Sequence, residues 1–153
     1  DLARLTRAFS MVIDRHEILR TRFVARDGVA CQQVLDAVDF SIGHRQCQAG
    51  NACDVDTWRR SALESAANQP FDLDGSLLRV SVHSADTQRH VLVVALHHLI
   101  SDGWSNAIWA RDLAAAYEAA ADSAGGVGRS TPNWLALRIQ YADHARRDRI
   151  ELH

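Results

Sequence analysis

The sequence predicts an α/β domain in which helices alternate with short strands. Apolar residues recur every three or four positions in some stretches, which is typical of helices, and alternate or run continuously in others, which is typical of strands. Composition agrees, because 47% hydrophobic and 24% charged residues are usual for a soluble domain of 153 residues. No apolar run approaches the roughly 20 residues of a membrane helix. We therefore expect one soluble, cytoplasmic domain.

The first third of the chain is predicted to form a helix followed by short strands. The helix ends near His16, and its apolar face carries five residues: Leu2, Leu5, Phe9, Val12 and Ile13. Alternation then predicts a strand over Ile18–Val24, with Leu19, Thr21 and Phe23 on one face. Asp27-Gly28 indicates a turn. Residues 29–35 and 38–42 are predicted to be further strands.

The middle of the chain is predicted to hold a helix and an antiparallel hairpin. After a polar loop at residues 46–54, Asp54 or Asp56 can cap a helix that ends at Ala67, with Trp58, Ala62 and Leu63 on its inner face. Residues 77–83 and 90–98 are predicted to pair as strands. Because residues 91–96 are all apolar, we expect the second strand to be central and covered on both faces.

The last third is predicted to be helical on both sides of a glycine-rich loop. One helix runs from Trp104 to about Asp122, with Trp104 and Trp109 in the core. Residues 123–129 form the loop, and Thr131-Pro132 begins a final helix.

Charge and cysteine content exclude several classes of function. All 17 basic residues are arginine and the net charge is −2, so neither a Schiff-base lysine nor a polyanion-binding surface is expected. Cys31, Cys47 and Cys53 form no zinc-binding or disulfide pattern, which favours reduced thiols.

The strongest candidate site lies between the apolar strand and the helix that follows it. His97 and His98 end the strand, and Asp102 and Gly103 occupy the turn before the helix. Alternation along a strand directs the two imidazoles to opposite faces, so their roles should differ. A neutral histidine can accept a proton near pH 7. Asp102 at a buried turn needs a counter-ion, for which Arg20 is the candidate.

Each of these residues also has a structural interpretation. His97 is more readily a hydrogen-bonded core histidine than a catalytic group, and for His98 the residues alone favour neither role. Asp102 is more readily an anchor of the turn than an acid. Gly103 allows either a positive φ or the close approach of a ligand or another backbone segment. A metal site is not expected, because adjacent strand residues diverge.

Four segments in order resemble the condensation domains of nonribosomal peptide synthetases. His97-His98-x-x-x-Asp102-Gly103 resembles the HHxxxDG signature of that family, and residues 15–23 resemble its RHExLRTxF pattern. Residues 70–73 with 77–79 resemble PFDL…LLR. Residues 141–145 resemble YADYA, although His144 and Arg147 stand where a tyrosine and a tryptophan are usual.

The resemblance implies that residues 1–153 form the N-terminal half of a condensation domain, with the C-terminal subdomain absent. The implied fold is like that of chloramphenicol acetyltransferase, a mixed, mainly antiparallel sheet packed by helices. In that family the active site lies in a tunnel between two similar halves. An isolated half is then expected to be inactive, and its exposed apolar surface favours dimerisation or poor solubility.

The resemblance also implies a reaction. An amine on the acceptor carrier protein attacks an acyl thioester on the donor carrier protein, with both substrates held on phosphopantetheine arms and no cofactor or metal bound directly. His98 contacts the amine as a base or as an orienting acceptor, and the backbone at Gly103 lies near the reacting groups. His97 is structural, while Asp102 pairs with Arg20, so Asp102→Ala should cause a large fall in melting temperature.

Three other functions remain open at this stage. Epimerization domains share the two histidines, and acyltransferases of the same superfamily use an alcohol acceptor. A third candidate is a noncatalytic module that docks carrier proteins. His98 argues against the docking module, because docking alone has no need of an imidazole at this position, whereas hydrogen exchange at the α-carbon would distinguish an epimerization domain.

Overall fold

The computed structural model describes residues 1–46, 55–122 and 131–151. Within those ranges the order of elements is α1 (Leu2–Arg15), a 3₁₀ turn (Glu17–Arg20), β1 (Thr21–Arg26), β2 (Val29–Val34), β3 (Gly43–Gln46), α2 (Val55–Ala67), β4 (Leu78–Ser84), β5 (His90–Leu96), α3 (Gly103–Asp122) and α4 (Tyr141–Glu151). No helix in these ranges is both long and apolar enough to cross a bilayer. Of the loop predicted at 46–54, Gln46 instead ends β3, and residues 47–54, which include Cys47, Cys53 and Asp54, lie outside the described residues. The glycine-rich loop predicted at 123–129 lies outside them as well.

The core forms where α1 packs against α3 and the sheet. Asp1 caps α1 by accepting a hydrogen bond from the backbone N–H of Arg4 at 3.0 Å. The buried face of α1 carries Ala8, Phe9, Val12 and Ile13. These side chains join Leu113 and Ala116 of α3 in one apolar cluster. The helix predicted to end near His16 is therefore confirmed.

The two-stranded sheet follows from one turn. Asp27 has φ of 51° and Gly28 has φ of 76°, the pair of positive values that joins antiparallel strands tightly. The predicted turn is confirmed. The strand predicted to start at Ile18 instead starts at Thr21, because the Thr21 hydroxyl donates to the Glu17 carbonyl at 2.8 Å and closes a 3₁₀ turn first.

The three-stranded sheet has the order β3-β4-β5. β4 and β5 are antiparallel, with Leu78 opposite Leu96, so the predicted hairpin is confirmed. β3 runs parallel to β4, which makes the sheet mixed. The prediction that β5 is central is wrong in the described part of the chain, where β5 is an edge strand and Leu92 is 41% exposed. An apolar run indicates that a strand can be buried on both faces, but it does not identify the segments that pack against it.

Apolar and polar residues alternate over 38–42, but the segment does not form the predicted strand. Phe40 instead packs on Phe9 of α1, with ring centroids 5.6 Å apart. The segment thus contributes side chains to the core without joining a ladder.

Two helical predictions are wrong in detail. Trp104 is 87% exposed at the start of α3, whereas Trp109 packs against the core as predicted. On α2, Ala62 is buried but Leu63 is 51% exposed. Periodicity identified each helix correctly and misplaced the edges of its buried face.

The helix predicted to begin at Thr131-Pro132 is wrong, because α4 begins only at Tyr141. Tertiary contacts hold the preceding segment in an irregular path. The Arg15 guanidinium donates to the Leu135 carbonyl at 2.8 Å and lies 4.8 Å from the centre of the Trp134 ring.

Candidate active site

The histidine pair lies in a turn directly after β5. The backbone N–H of His97 donates to the Leu77 carbonyl at 3.0 Å, and the His97 carbonyl accepts from Ile100 at the same distance. Ile100 is only 4% exposed, so its side chain anchors the turn in the core. The prediction that both histidines belong to the strand is wrong, since β5 ends at Leu96.

His97 is half-buried and has partners on two sides. Its Nδ1 accepts a hydrogen bond from the backbone N–H of Leu99 at 3.1 Å. Its ring meets the Phe71 ring edge to face, with centroids 5.7 Å apart at 85°. Because Nδ1 is an acceptor here, the proton of the neutral ring lies on Nε2. These contacts fit the structural role that was predicted, which stays a prediction.

His98 differs from its neighbour in exposure and in contacts. Its side chain is exposed, and no group among the described residues forms a hydrogen bond with its imidazole. Both ring nitrogens are therefore accessible to a molecule that reaches this turn. The catalytic role expected of His98 stays a prediction.

Asp102 caps α3 rather than filling a buried turn. Its Oδ1 accepts from the Ser105 hydroxyl at 2.6 Å and from the backbone N–H of Ser105 at 2.8 Å. These two hydrogen bonds hold the pKa of the Asp102 carboxyl below its usual range. The residue is exposed, so the expectation of a buried charge is wrong.

Arg20 does not pair with Asp102, which corrects the second part of that expectation. The guanidinium donates to the Leu35 carbonyl and, at 3.5 Å, to the Glu17 carboxylate. Arg20 is the last residue of the 3₁₀ turn, and its side chain reaches Leu35, the residue that follows β2. The Asp102 carboxylate is meanwhile occupied by its own helix.

Gly103 is the first residue of α3 and is exposed. Among the described residues Gly28 alone combines glycine with a positive φ, and a Cβ added at Gly103 would meet nothing within 4 Å. Neither a positive φ nor close approach by another described segment of this chain therefore accounts for this glycine. Proximity to a ligand stays a prediction.

A buried charge network beside the site was missed by the sequence analysis. Asp112 of α3 is 2% exposed, and its Oδ2 accepts from Arg15 Nε at 2.8 Å and pairs with His16 Nε2 at 2.9 Å. Burial raises the pKa of the Asp112 carboxyl, but hydrogen bonds from His16, Arg15 and Arg111 outweigh it and leave the pKa below its usual range. The one feature of the sequence that could have indicated this network is the motif that contains Arg15 and His16, two of the partners of Asp112.

The PFDL…LLR segments supply a second set of supporting residues. The Arg79 guanidinium carbon lies 3.8 Å from the centre of the Phe71 ring. Arg79 also donates to the Pro70 carbonyl at 2.8 Å and to the Gln69 carbonyl at 2.5 Å. Phe71 therefore lies between Arg79 and His97.

The space beside the turn is small. A cavity of about 110 Å³ lies under Ile100 and Ser101 and reaches His16 and Trp109. Neither His97 nor His98 lines it. In the described ranges no three His, Cys, Asp or Glu side chains are grouped to hold a metal ion.

Comparison with known proteins identifies the family. The family model described as "Condensation domain" matches residues 1–149. The chain belongs to the condensation-domain family. It is 40% identical over 94% of its length to a probable non-canonical nonribosomal peptide synthetase, CymA, of Salinispora arenicola, and 39% identical over 94% to an isonitrile lipopeptide synthase of Mycobacterium tuberculosis. It spans 2% of the first of those relatives and 6% of the second.

Solved structures agree with the family. The X-domain from teicoplanin biosynthesis is 30% identical, with a TM-score of 0.81 over 99% of this chain and 31% of that one. SgcC5 of Streptomyces globisporus is 28% identical, with a TM-score of 0.76 over 99% of this chain and 33% of that one. The predicted condensation-domain fold is thereby confirmed. This chain spans about a third of the length of these structures.

Proposed function

We propose that this condensation-domain chain contributes the histidine-bearing wall of a site that forms amide bonds in nonribosomal peptide synthesis. The acceptor is an aminoacyl thioester and the donor an acyl or peptidyl thioester, each on the phosphopantetheine arm of a carrier protein. The acceptor nitrogen forms a bond to the donor carbonyl carbon, and the donor carbon–sulfur bond breaks. The proton lost by nitrogen ends on the released thiol.

His98 is the residue assigned to this step. Its imidazole accepts a hydrogen bond from the attacking amine, which orients the nitrogen lone pair toward the thioester carbon. The imidazole nitrogen of His98 accepts the proton as the amide forms and passes it to the departing sulfur. His97 holds the turn and does not contact substrate.

One observation supports this assignment above the rest. The described structure engages His97 on two sides and leaves the adjacent imidazole of His98 exposed and free of hydrogen bonds. Such a side chain adds nothing evident to folding, so a role toward a bound molecule accounts for it. The family to which the chain belongs indicates what that molecule is, a thioester bound to a carrier protein.

The experiment uses the completed domain, which we define as this chain joined to the remaining two thirds of a condensation domain. Transfer between two loaded carrier proteins is followed by intact-protein mass spectrometry. We expect His98→Ala to reduce the transfer rate by roughly 10²- to 10⁴-fold, the usual contribution of a general acid–base residue. His144→Ala is the matched control, because His144 is an exposed histidine on α4 whose Nδ1 lies 3.1 Å from the Asp148 carboxylate.

Two results would contradict the proposal. Unchanged transfer by His98→Ala would remove this imidazole from the reaction. Equal losses in His98→Ala and His144→Ala would show a general effect of losing a surface histidine.

A second candidate function has one observation in its favour. The X-domain from teicoplanin biosynthesis, 30% identical to this chain with a TM-score of 0.83, has been solved in complex with OxyB. A member of this fold can therefore serve as a binding partner of another protein. If the completed domain binds a carrier protein but transfers nothing, the docking function takes precedence.

A further inference from the structure

We infer that Phe71 is a positioning residue for His98, acting through the ring of His97, and that Arg79 holds Phe71 in place. The inference rests on the proposed function, because it concerns the same turn. It assigns a role to the PFDL…LLR segments, which the reaction itself does not use.

The first contact fixes the His97 ring. Phe71 meets it edge to face at 5.7 Å and 85°, a favoured geometry worth more than the buried area alone. A second restraint on the same ring is the hydrogen bond from the Leu99 N–H to His97 Nδ1 at 3.1 Å. Rotation of the ring would break both contacts, so the two together select one rotamer.

The second contact fixes Phe71. The Arg79 guanidinium carbon lies 3.8 Å from the ring centre, within the range of a cation–π interaction. The same guanidinium donates to the carbonyls of Gln69 and Pro70, the two residues that precede Phe71. Arg79 therefore secures both the backbone that leads into Phe71 and the ring itself.

The third contact joins the same segment to the turn. Leu77, two residues before Arg79, accepts the hydrogen bond from the His97 N–H at 3.0 Å and is 1% exposed. Residues 77–79 thus fix His97 twice, through its backbone directly and through its ring by way of Phe71. His98 is the next residue in the chain and, among the described groups, makes no side-chain hydrogen bond of its own. Its position therefore depends on His97.

Loss of the Phe71 ring should affect the rate more than substrate binding. A displacement of about 1 Å at a catalytic group lowers the rate by roughly 10²-fold, and Phe71→Leu removes one of two restraints on the ring. We therefore expect kcat for amide transfer in the completed domain to fall by roughly 10- to 100-fold, with KM for the loaded acceptor unchanged within about twofold.

The matched control is Phe40→Leu. Phe40 is also half-buried and also has a ring partner, Phe9 at 5.6 Å, but that partner lies on α1, whereas the ring partner of Phe71 is His97 itself. Both variants lose the same atoms from a partly buried aromatic site. Phe71→Tyr keeps the ring and should restore kcat, whereas Phe40→Leu should leave kcat unchanged.

A second measurement separates this inference from the proposed function. Amide hydrogen exchange of Leu99 and Ile100, followed by NMR, reports the turn without any reaction. We expect Phe71→Leu to accelerate exchange at both amides by roughly tenfold relative to Phe40→Leu, because the acceptors of both hydrogen bonds belong to His97.

The possible results are distinct. Faster exchange with a fall in kcat supports the positioning role. Unchanged exchange, or equal kcat losses in Phe71→Leu and Phe40→Leu, overturns it. If the wild-type completed domain forms no amide, the proposed function fails, and the exchange result alone decides whether Phe71 fixes the turn.

Discussion

Replacement of Asp112 by asparagine tests the buried charge network most directly. The change keeps the size of the side chain but removes the negative charge that faces Arg15 and His16 at 2.8 and 2.9 Å. Breaking a buried ion pair by removing one partner costs about 3 to 5 kcal/mol. Arg15 keeps its hydrogen bond to the Leu135 carbonyl and its contact with Trp134, which favours the lower end of that range.

The assay is urea unfolding of this chain and its Asp112→Asn variant at pH 7. We expect the free energy of unfolding to fall by about 3 kcal/mol, or roughly 6 to 12 °C in Tm for a domain of this size. Asp148→Asn is the matched control, because Asp148 is 58% exposed in its pair with His144. An exposed pair contributes little, so the control should unfold like the wild type.

The pH dependence has a fixed sign. The pKa of Asp112 in the folded chain lies below its usual value, so its stabilising effect is complete above about pH 4, the unfolded pKa, and is lost as pH falls through the folded pKa. The difference in stability between wild type and Asp112→Asn should therefore shrink below pH 4. A difference that is independent of pH, or a variant as stable as Asp148→Asn at pH 7, would refute the reasoning.

Two further predictions concern the turn at the start of α3. Gly103→Ala should leave Tm unchanged or slightly raised, because the added Cβ meets nothing within 4 Å. Amide transfer by the completed domain should slow if a ligand passes over this backbone. Unchanged transfer would exclude such a contact. Arg20→Ala and Asp102→Ala should have additive effects on the free energy of unfolding, since their charged groups have separate partners. Each should be milder than Asp112→Asn, which replaces the large fall in melting temperature expected for Asp102→Ala when its charge was taken to be buried. Measurable coupling between the two would show that they do interact.

Local features of the fold could be predicted where the signal lies in neighbouring residues. The apolar stripe of α1, the Asp27-Gly28 turn and the pairing of β4 with β5 all depend on spacing or on a preferred φ. The position of β5 in its sheet could not be predicted, because it depends on which other chain segment covers an apolar surface. The segment at 131–140 was mistaken for a helix for a related reason, since Arg15 holds it from 120 residues away at Leu135.

The candidate site shows the same division. The two histidines stand together in the sequence, and their different surroundings follow from one turn of backbone. Asp112 gave no comparable signal, because a single acid between an arginine and a leucine resembles a solvent-exposed position on a helix. Its burial depends on Arg15 and His16, which lie at the C-terminal end of α1.

The bonds that Gln140 makes have a consequence for the order in which the chain folds during synthesis. Its amide nitrogen donates to the Arg15 carbonyl at 3.0 Å, and its amide oxygen accepts from the Glu17 N–H at 3.2 Å, so residues 125 apart close one loop. A ribosome adds roughly 5 to 20 residues per second, which places about 6 to 25 s between the two ends of that loop. For that interval the C-terminal end of α1 lacks its final partner. This end of the helix therefore completes these hydrogen bonds only after residue 140 has been synthesised.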